Sequence, residues 1–317
     1  SVGVVLLGLT CGALLRQIAA VEAQGVVFAA DGLYERIVIR DMPLQGRSAR
    51  VLWQDHNVSG GLYLDDGSMA FDYTKYFDLY RLFVPELKSA LAIGGGAYNV
   101  PRAILRDSPR AIVDVAEIDP SLHALAQRYF ALPDNARLRN HVIDGRRFLH
   151  DTAERYDLIF SDAYGSFVSA PPQFATREFF GLAKSRLKDD GVLIANFYGS
   201  LGADSRAMIH AVLKTMRGVF PQVYLIATVN PASDVLQNFI YIGHNASDPD
   251  RRVDLRQAAG FAFSYPMLKG VATLEVRAAD ALIASQRPLS DDFAPVEYLA
   301  ANAVRRYDVL RSRRADR

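Results

Sequence analysis

Between residues 90 and 242, short apolar runs alternate with segments whose apolar residues recur at helical spacing. Such a chain is tightly limited in what it can fold into. Consecutive parallel strands need crossovers, and helices supply them while covering both faces of the sheet. The expected strands are residues 90–93, 111–116, 138–143, 156–160, 192–197, 223–227 and 239–242. Helices are expected over 100–106, 121–130, a short stretch near Arg146, 176–187 and 205–217. The fold class is therefore α/β.

Upstream the texture differs. Residues 34–40, 50–54 and 61–65 read as short strands of a small antiparallel sheet between Gly- and Asp-rich turns. Tyr73, Tyr76, Phe77, Tyr80, Phe83 and Val84 then carry helical spacing over 72–87. The expected division is an apolar N-terminal segment at 1–25, a β-hairpin domain at 26–85, a catalytic domain at 86–245 and an extension at 246–317. The extension reads as helical in parts, and its Arg-rich end as a solvated helix terminus.

Residues 2–15 form an apolar run ending at Arg16, shorter than the roughly 20 residues of a spanning helix. Three readings stand for it: the stub of a membrane helix, part of a signal-like segment, or a buried helix. With a membrane stub, Arg16 would put the rest of the chain on the cytoplasmic face.

The chain of 317 residues has a net charge of +1, which gives no overall basic field for nucleic acid. Cys11 is the single cysteine, so no intramolecular disulfide forms. His56, His123, His141, His150, His210 and His244 are scattered, and none stands at ligand spacing from another His or a Cys, so no metal site is expected.

Four groups of residues carry chemistry. Gly94, Gly95 and Gly96 close the first strand of the α/β unit, where glycines permit a tight turn and close approach of backbone N–H groups to a ligand. Glu117 ends the next strand, about 20 residues on, where a carboxylate accepts the ribose hydroxyls of a nucleoside. Asp119 follows as a candidate helix N-cap. Asp144 and Gly145 follow the third strand, with Asp144 placed to accept from an adenine amino group. The glycines do not follow Gly-x-Gly-x-x-Gly, and no Lys-Ser/Thr comes after them, which favours a phosphate-free nucleoside over a dinucleotide or ATP. Asp162, with Tyr164 close behind, ends the fourth strand, and ligands of open α/β sheets sit beyond the carboxyl ends of the strands. A long loop with Pro171 and Pro172 then leads into a helix.

In order and spacing, these groups together with the segment Thr176-Arg177-Glu178-Phe179-Phe180 resemble the spermidine synthase (polyamine aminopropyltransferase) family over about residues 34–245. The N-terminal apolar run and residues 291–298 resemble its membrane-attached bacterial branch. The resemblance implies a Rossmann-like, class I methyltransferase-type sheet with a small N-terminal antiparallel β domain. It implies a transferase of polyamine biosynthesis with no permanently bound cofactor. Decarboxylated S-adenosylmethionine would be the co-substrate and a small amine such as putrescine the acceptor. Asp162 corresponds to the catalytic base, and Tyr73 to an aromatic residue lining the acceptor channel, with Tyr164 also against the substrate. Gly94, Gly95, Gly96, Glu117, Asp144 and Gly145 would hold the donor. A homodimer is expected by the same analogy.

Three positions depart from the family pattern. Ala97 stands where an Asp usually follows the glycines, Gly165 where a second acceptor Asp usually lies, and Ser59 near a usual Gln. Asp65, Asp66, Asp72, Asp291 and Asp292 are the acids available to compensate. Two other readings therefore stay open: a methyltransferase using intact S-adenosylmethionine, and a non-catalytic adenosyl-binding domain regulating a membrane partner.

Overall fold

The computed structural model describes residues 24–55, 57–163, 171–202 and 205–301. Most of the N-terminal apolar segment, with Cys11, lies outside the described residues, as do His56, Tyr164, Gly165 and the Arg-rich end. Among the described residues, no helix is long and apolar enough to cross a membrane, and no group of His, Cys, Asp and Glu is arranged to hold a metal ion.

The chain opens with a four-stranded antiparallel meander, β1 Val26–Asp31, β2 Arg36–Leu44, β3 Arg47–Gln54 and β4 Asn57–Tyr63, in sequential order. The first of these strands is absent from the sequence expectation. It is an apolar run without polar alternation, and it lies mostly exposed at the sheet edge, so neither period nor burial marks it. The expected helix over 72–87 is instead a 3-10 helix, Asp72–Leu82. It is buried on nearly every side, so no single amphipathic stripe selects the α period.

The second sheet holds β5 Ser89–Ile93, β6 Ile112–Glu117, β7 Leu138–Val142, β8 Tyr156–Ser161, β9 Leu187–Gly199, β10 Gln222–Ala227 and β11 Gln237–His244. Their order is β10-β11-β9-β8-β5-β6-β7, and all pairs are parallel except those of β11, which runs against β9 and β10. The helices are α1 Asn99–Asp107, α2 Leu122–Tyr129, α3 Gly145–Asp151, α4 Arg177–Ser185, α5 Arg206–Arg217 and α6 Asp280–Ala284. The extension carries, before α6, two further 3-10 helices, Leu255–Gly260 and Pro266–Leu274.

Successive side chains of a strand face opposite ways, and the two cores divide on that rule. Ala90, Ala92, Leu158, Phe160, Val192 and Ile194 pack with α1, α2, the Asp72–Leu82 helix and Leu268 and Val271 of the extension. Leu91, Ile93, Ile159, Leu193, Ala195 and Phe197 pack with α3, α4 and α5. Ile37, Ile39, Leu52 and Leu62 of the meander join the first core, which ties the small sheet to the large one.

β5 is the switch point of the large sheet. From it the chain moves outward to β6 and β7 on one side, and later to β8 and β9 on the other. A crevice opens at such a point beyond the strand ends, and the candidate site lies there.

Candidate active site

The glycine loop is pinned from three directions. Gly94 N donates to Ala116 O at 3.0 Å, Asp162 N to Ile93 O at 3.0 Å, and Ala97 N to Ser59 O at 3.1 Å. The loop thus joins β5 to the ends of β6 and β8 and to β4. Gly94 has φ +88° and Gly96 φ +50°. A Cβ on Gly94 would fall 2.7 Å from Asp162 O, and one on Gly96 would fall 2.3 Å from Ser59 O, so both the backbone angle and the spacing demand glycine.

Glu117 closes this loop from the side. Its Oε2 accepts from Gly95 N at 2.7 Å and its Oε1 from Asp119 N at 2.8 Å. The residue is 6% exposed; burial raises its pKa, and the backbone donors at Asp119, Gly95 and Gly96 pull it back. These three donors take three of the about four acceptor positions of the carboxylate, which leaves one for a hydroxyl of a ligand. Asp119 does not cap α2 itself. Its Oδ1 accepts from Ser121 N at 2.8 Å and Ser121 Oγ at 2.6 Å, an Asx-type turn that delivers the chain to the helix one residue later. Asp144 caps α3, accepting from Arg147 N at 2.9 Å through Oδ1. Gly145 is buried against Ile93.

Asp162 occupies the other wall. Asn196 Nδ2 donates to its Oδ1 at 2.8 Å, and the Tyr73 hydroxyl donates to it as well. Burial pushes its carboxyl up to about 6, against the pull of those two donors. The Tyr73 phenol is held well above its ordinary value by burial and by Asp162, so it stays a donor.

Tyr73, Gly94, Gly95, Gly96, Glu117, Asp144, Gly145 and Asp162 all line one cavity of about 600 Å³. Glu35, Gln54, Asn196, Tyr198 and Asn238 line it too, and the sequence reading missed them. One signal was available for Asn196: it is the single polar residue in the apolar run of β9 from Val192 to Phe197. No Lys, Arg or His lines the cavity among the described residues. The acids considered as compensation for Ala97 and Gly165 are elsewhere. Asp65 and Asp66 pair with Arg47, Asp72 with Lys75 and Asp291 with Arg146, while Asp292 is exposed. Ala97 itself is buried, with its methyl against Gly60.

The family model of the spermine/spermidine synthase domain matches residues 78–251, more than half of the chain. The chain belongs to the spermine/spermidine synthase family. The matched span covers the large sheet from β5 to β11, and with it Glu117, Asp144, Asp162 and Asn196. A polyamine aminopropyltransferase of Vibrio vulnificus is 28% identical over 245 residues, covering 74% of this chain and 77% of that protein. One from Lachnospira eligens is 34% identical over 187 residues, 55% of this chain and 60% of that protein. The crystal structure of a probable spermidine synthase from Corynebacterium glutamicum superposes with a TM-score of 0.68 at 20% identity, covering 83% of this chain and 96% of that one. That likeness establishes the shared fold.

Proposed function

We propose that this chain transfers an aminopropyl group from decarboxylated S-adenosylmethionine to an amine, with Asp162 as the base. The observation that carries the reading is the cavity at the β5 switch point, whose charged lining residues, among those described, are all acidic. A sulfonium and an ammonium are both cations, and five carboxylates with no basic side chain among the described lining residues suit them. Among the described residues, the same wall offers no Lys, Arg or His to neutralise a phosphate or the carboxylate of intact S-adenosylmethionine. This favours the decarboxylated donor although Ala97 contributes no charge, and it counts against the methyltransferase reading. The family's members named polyamine aminopropyltransferase support the same reaction.

In this reading Glu117 accepts from a ribose hydroxyl, Asp144 faces the adenine, and Gly94, Gly95 and Gly96 let the backbone approach the donor. Asp162 accepts a proton from the incoming amine. The nitrogen lone pair attacks the carbon beside the sulfonium, the C–S bond breaks, and its electron pair returns to sulfur, leaving neutral methylthioadenosine. A neutral thioether needs no acid to leave. Tyr73 and Asn196 hold the carboxylate so that its proton-accepting oxygen faces the amine.

The reading divides the chain into an N-terminal sheet domain at 26–85, a catalytic domain at 86–245 and an extension at 246–317. It takes the protein as a homodimer on the cytoplasmic side, which sedimentation would check. Attachment through residues 1–25 is supported by the apolar run at 2–15 alone, and flotation with vesicles would test it. The direct test of the reaction is release of methylthioadenosine from decarboxylated S-adenosylmethionine in the presence of an amine. Turnover that requires Asp162 supports the proposal, and absence of turnover with every amine would refute it.

A further inference from the structure

Five carboxylates line the cavity, and they are unevenly placed. Glu35 lies in the turn between β1 and β2; burial first, then Asp55, and to a smaller degree Glu117 and Asp119 raise its pKa. Glu117 is bonded to Asp119 N, and Asp144 follows β7, the neighbour of β6. These four gather at the end assigned to the adenosyl group. Asp162 stands apart: burial, Asn196 and Tyr73 govern its proton, and no other carboxylate contributes.

Past Asp162 the wall is built by β9 and β11. Asn196 and Tyr198 are two residues apart on β9 and so share a face. Asn238 of β11 pairs with Tyr198 and faces the same way. Tyr73 lines the cavity from the 3-10 helix and Phe71 from the residue just before it. None of these residues is charged. The sequence adds no acid between Asp162 and Glu178.

Building on the aminopropyl-transfer reading, we infer that the acceptor is an amine with one cationic nitrogen, the reacting one, and an uncharged remainder lying against Tyr198 and Asn238. Among the described residues lining this half of the cavity, a second ammonium would give up its water and find no carboxylate beyond Asp162, which disfavours an α,ω-diamine. Tyrosine rings and an asparagine amide suit an alkyl, aromatic or hydroxylated tail.

The test compares butylamine and phenethylamine with putrescine, following methylthioadenosine release from decarboxylated S-adenosylmethionine by the full chain. A calorimetric titration with methylthioadenosine runs alongside. The expected result is a kcat/KM for butylamine at least about tenfold above that for putrescine. Putrescine equal to or better than the monoamines, with methylthioadenosine bound, overturns this inference and leaves the transfer reading intact. No turnover and no binding of methylthioadenosine overturns both. Asn238→Asp supplies the missing carboxylate and should move the ratio toward putrescine by about tenfold. An unchanged ratio in that variant would remove the tail from the wall of β9 and β11.

Discussion

The two ends of the cavity are built in different ways. The adenosyl end is made of strand ends that follow one another in sequence: the glycine loop after β5, Glu117 at the end of β6, and Asp144 after β7. Its contacts are mostly to backbone, as Gly95 N to Glu117 and Arg147 N to Asp144 show. The amine end is assembled from side chains far apart in sequence. Tyr73 comes from the 3-10 helix, Asp162 from the end of β8, Asn196 from β9 and Asn238 from β11. On the proposed reading, the first end cradles the nucleoside and the second selects the nucleophile.

Substitutions at the amine end should change rate and pH dependence, and those at the adenosyl end donor affinity. Asp162→Asn should have the largest effect, lowering kcat by about 100-fold or more, since it removes the proton acceptor. Glu117→Gln should weaken donor binding by about tenfold to 100-fold, with a smaller change in kcat, because a neutral amide accepts more weakly from hydroxyls. A competition titration with methylthioadenosine separates the two terms. Tyr73→Phe takes one donor from Asp162 and should shift the lower inflection of the pH–rate profile above about 6, with a roughly tenfold loss at neutral pH. An unmoved inflection there would mean that Tyr73 acts only as a wall.

The smallest effect is on stability. The Asp162 carboxyl is raised from 3.8 to about 6 on folding. Between these values the folded chain binds the proton more tightly than the unfolded one. Its contribution is therefore fully present below the unfolded value and is lost as pH rises through about 6. Asp162→Asn should melt no lower than the unsubstituted protein at pH above that range, a change of at most a few degrees. A markedly lower melting temperature would show instead that the carboxylate holds the strand ends together.

The contrast also explains what was legible in the sequence. The strands of the large sheet, Gly94 to Gly96, Glu117 and Asp144 announce themselves because period and turn chemistry are local. β1 could not be read, since its apolar residues pair only with β2 and carry no alternation. The 3-10 form of Asp72–Leu82 follows from burial by both sheets and the extension, which no window of sequence contains. Asp162 was found as a strand-end carboxylate, but its bonds to Tyr73 and Asn196 join residues brought together only by the fold. Glu35 was hidden in the same way, as a turn residue of one sheet placed over the ligand crevice of the other.

The most direct measurement is the pH dependence of methylthioadenosine release under single-turnover conditions, for the unsubstituted protein and for Asp162→Asn. The unsubstituted rate should climb through an inflection at about 6 to a plateau. Asp162→Asn should lose about 100-fold or more on that plateau together with the inflection. An Asp162→Asn rate equal to that of the unsubstituted protein, with the inflection unchanged, would contradict the role of Asp162 as the base.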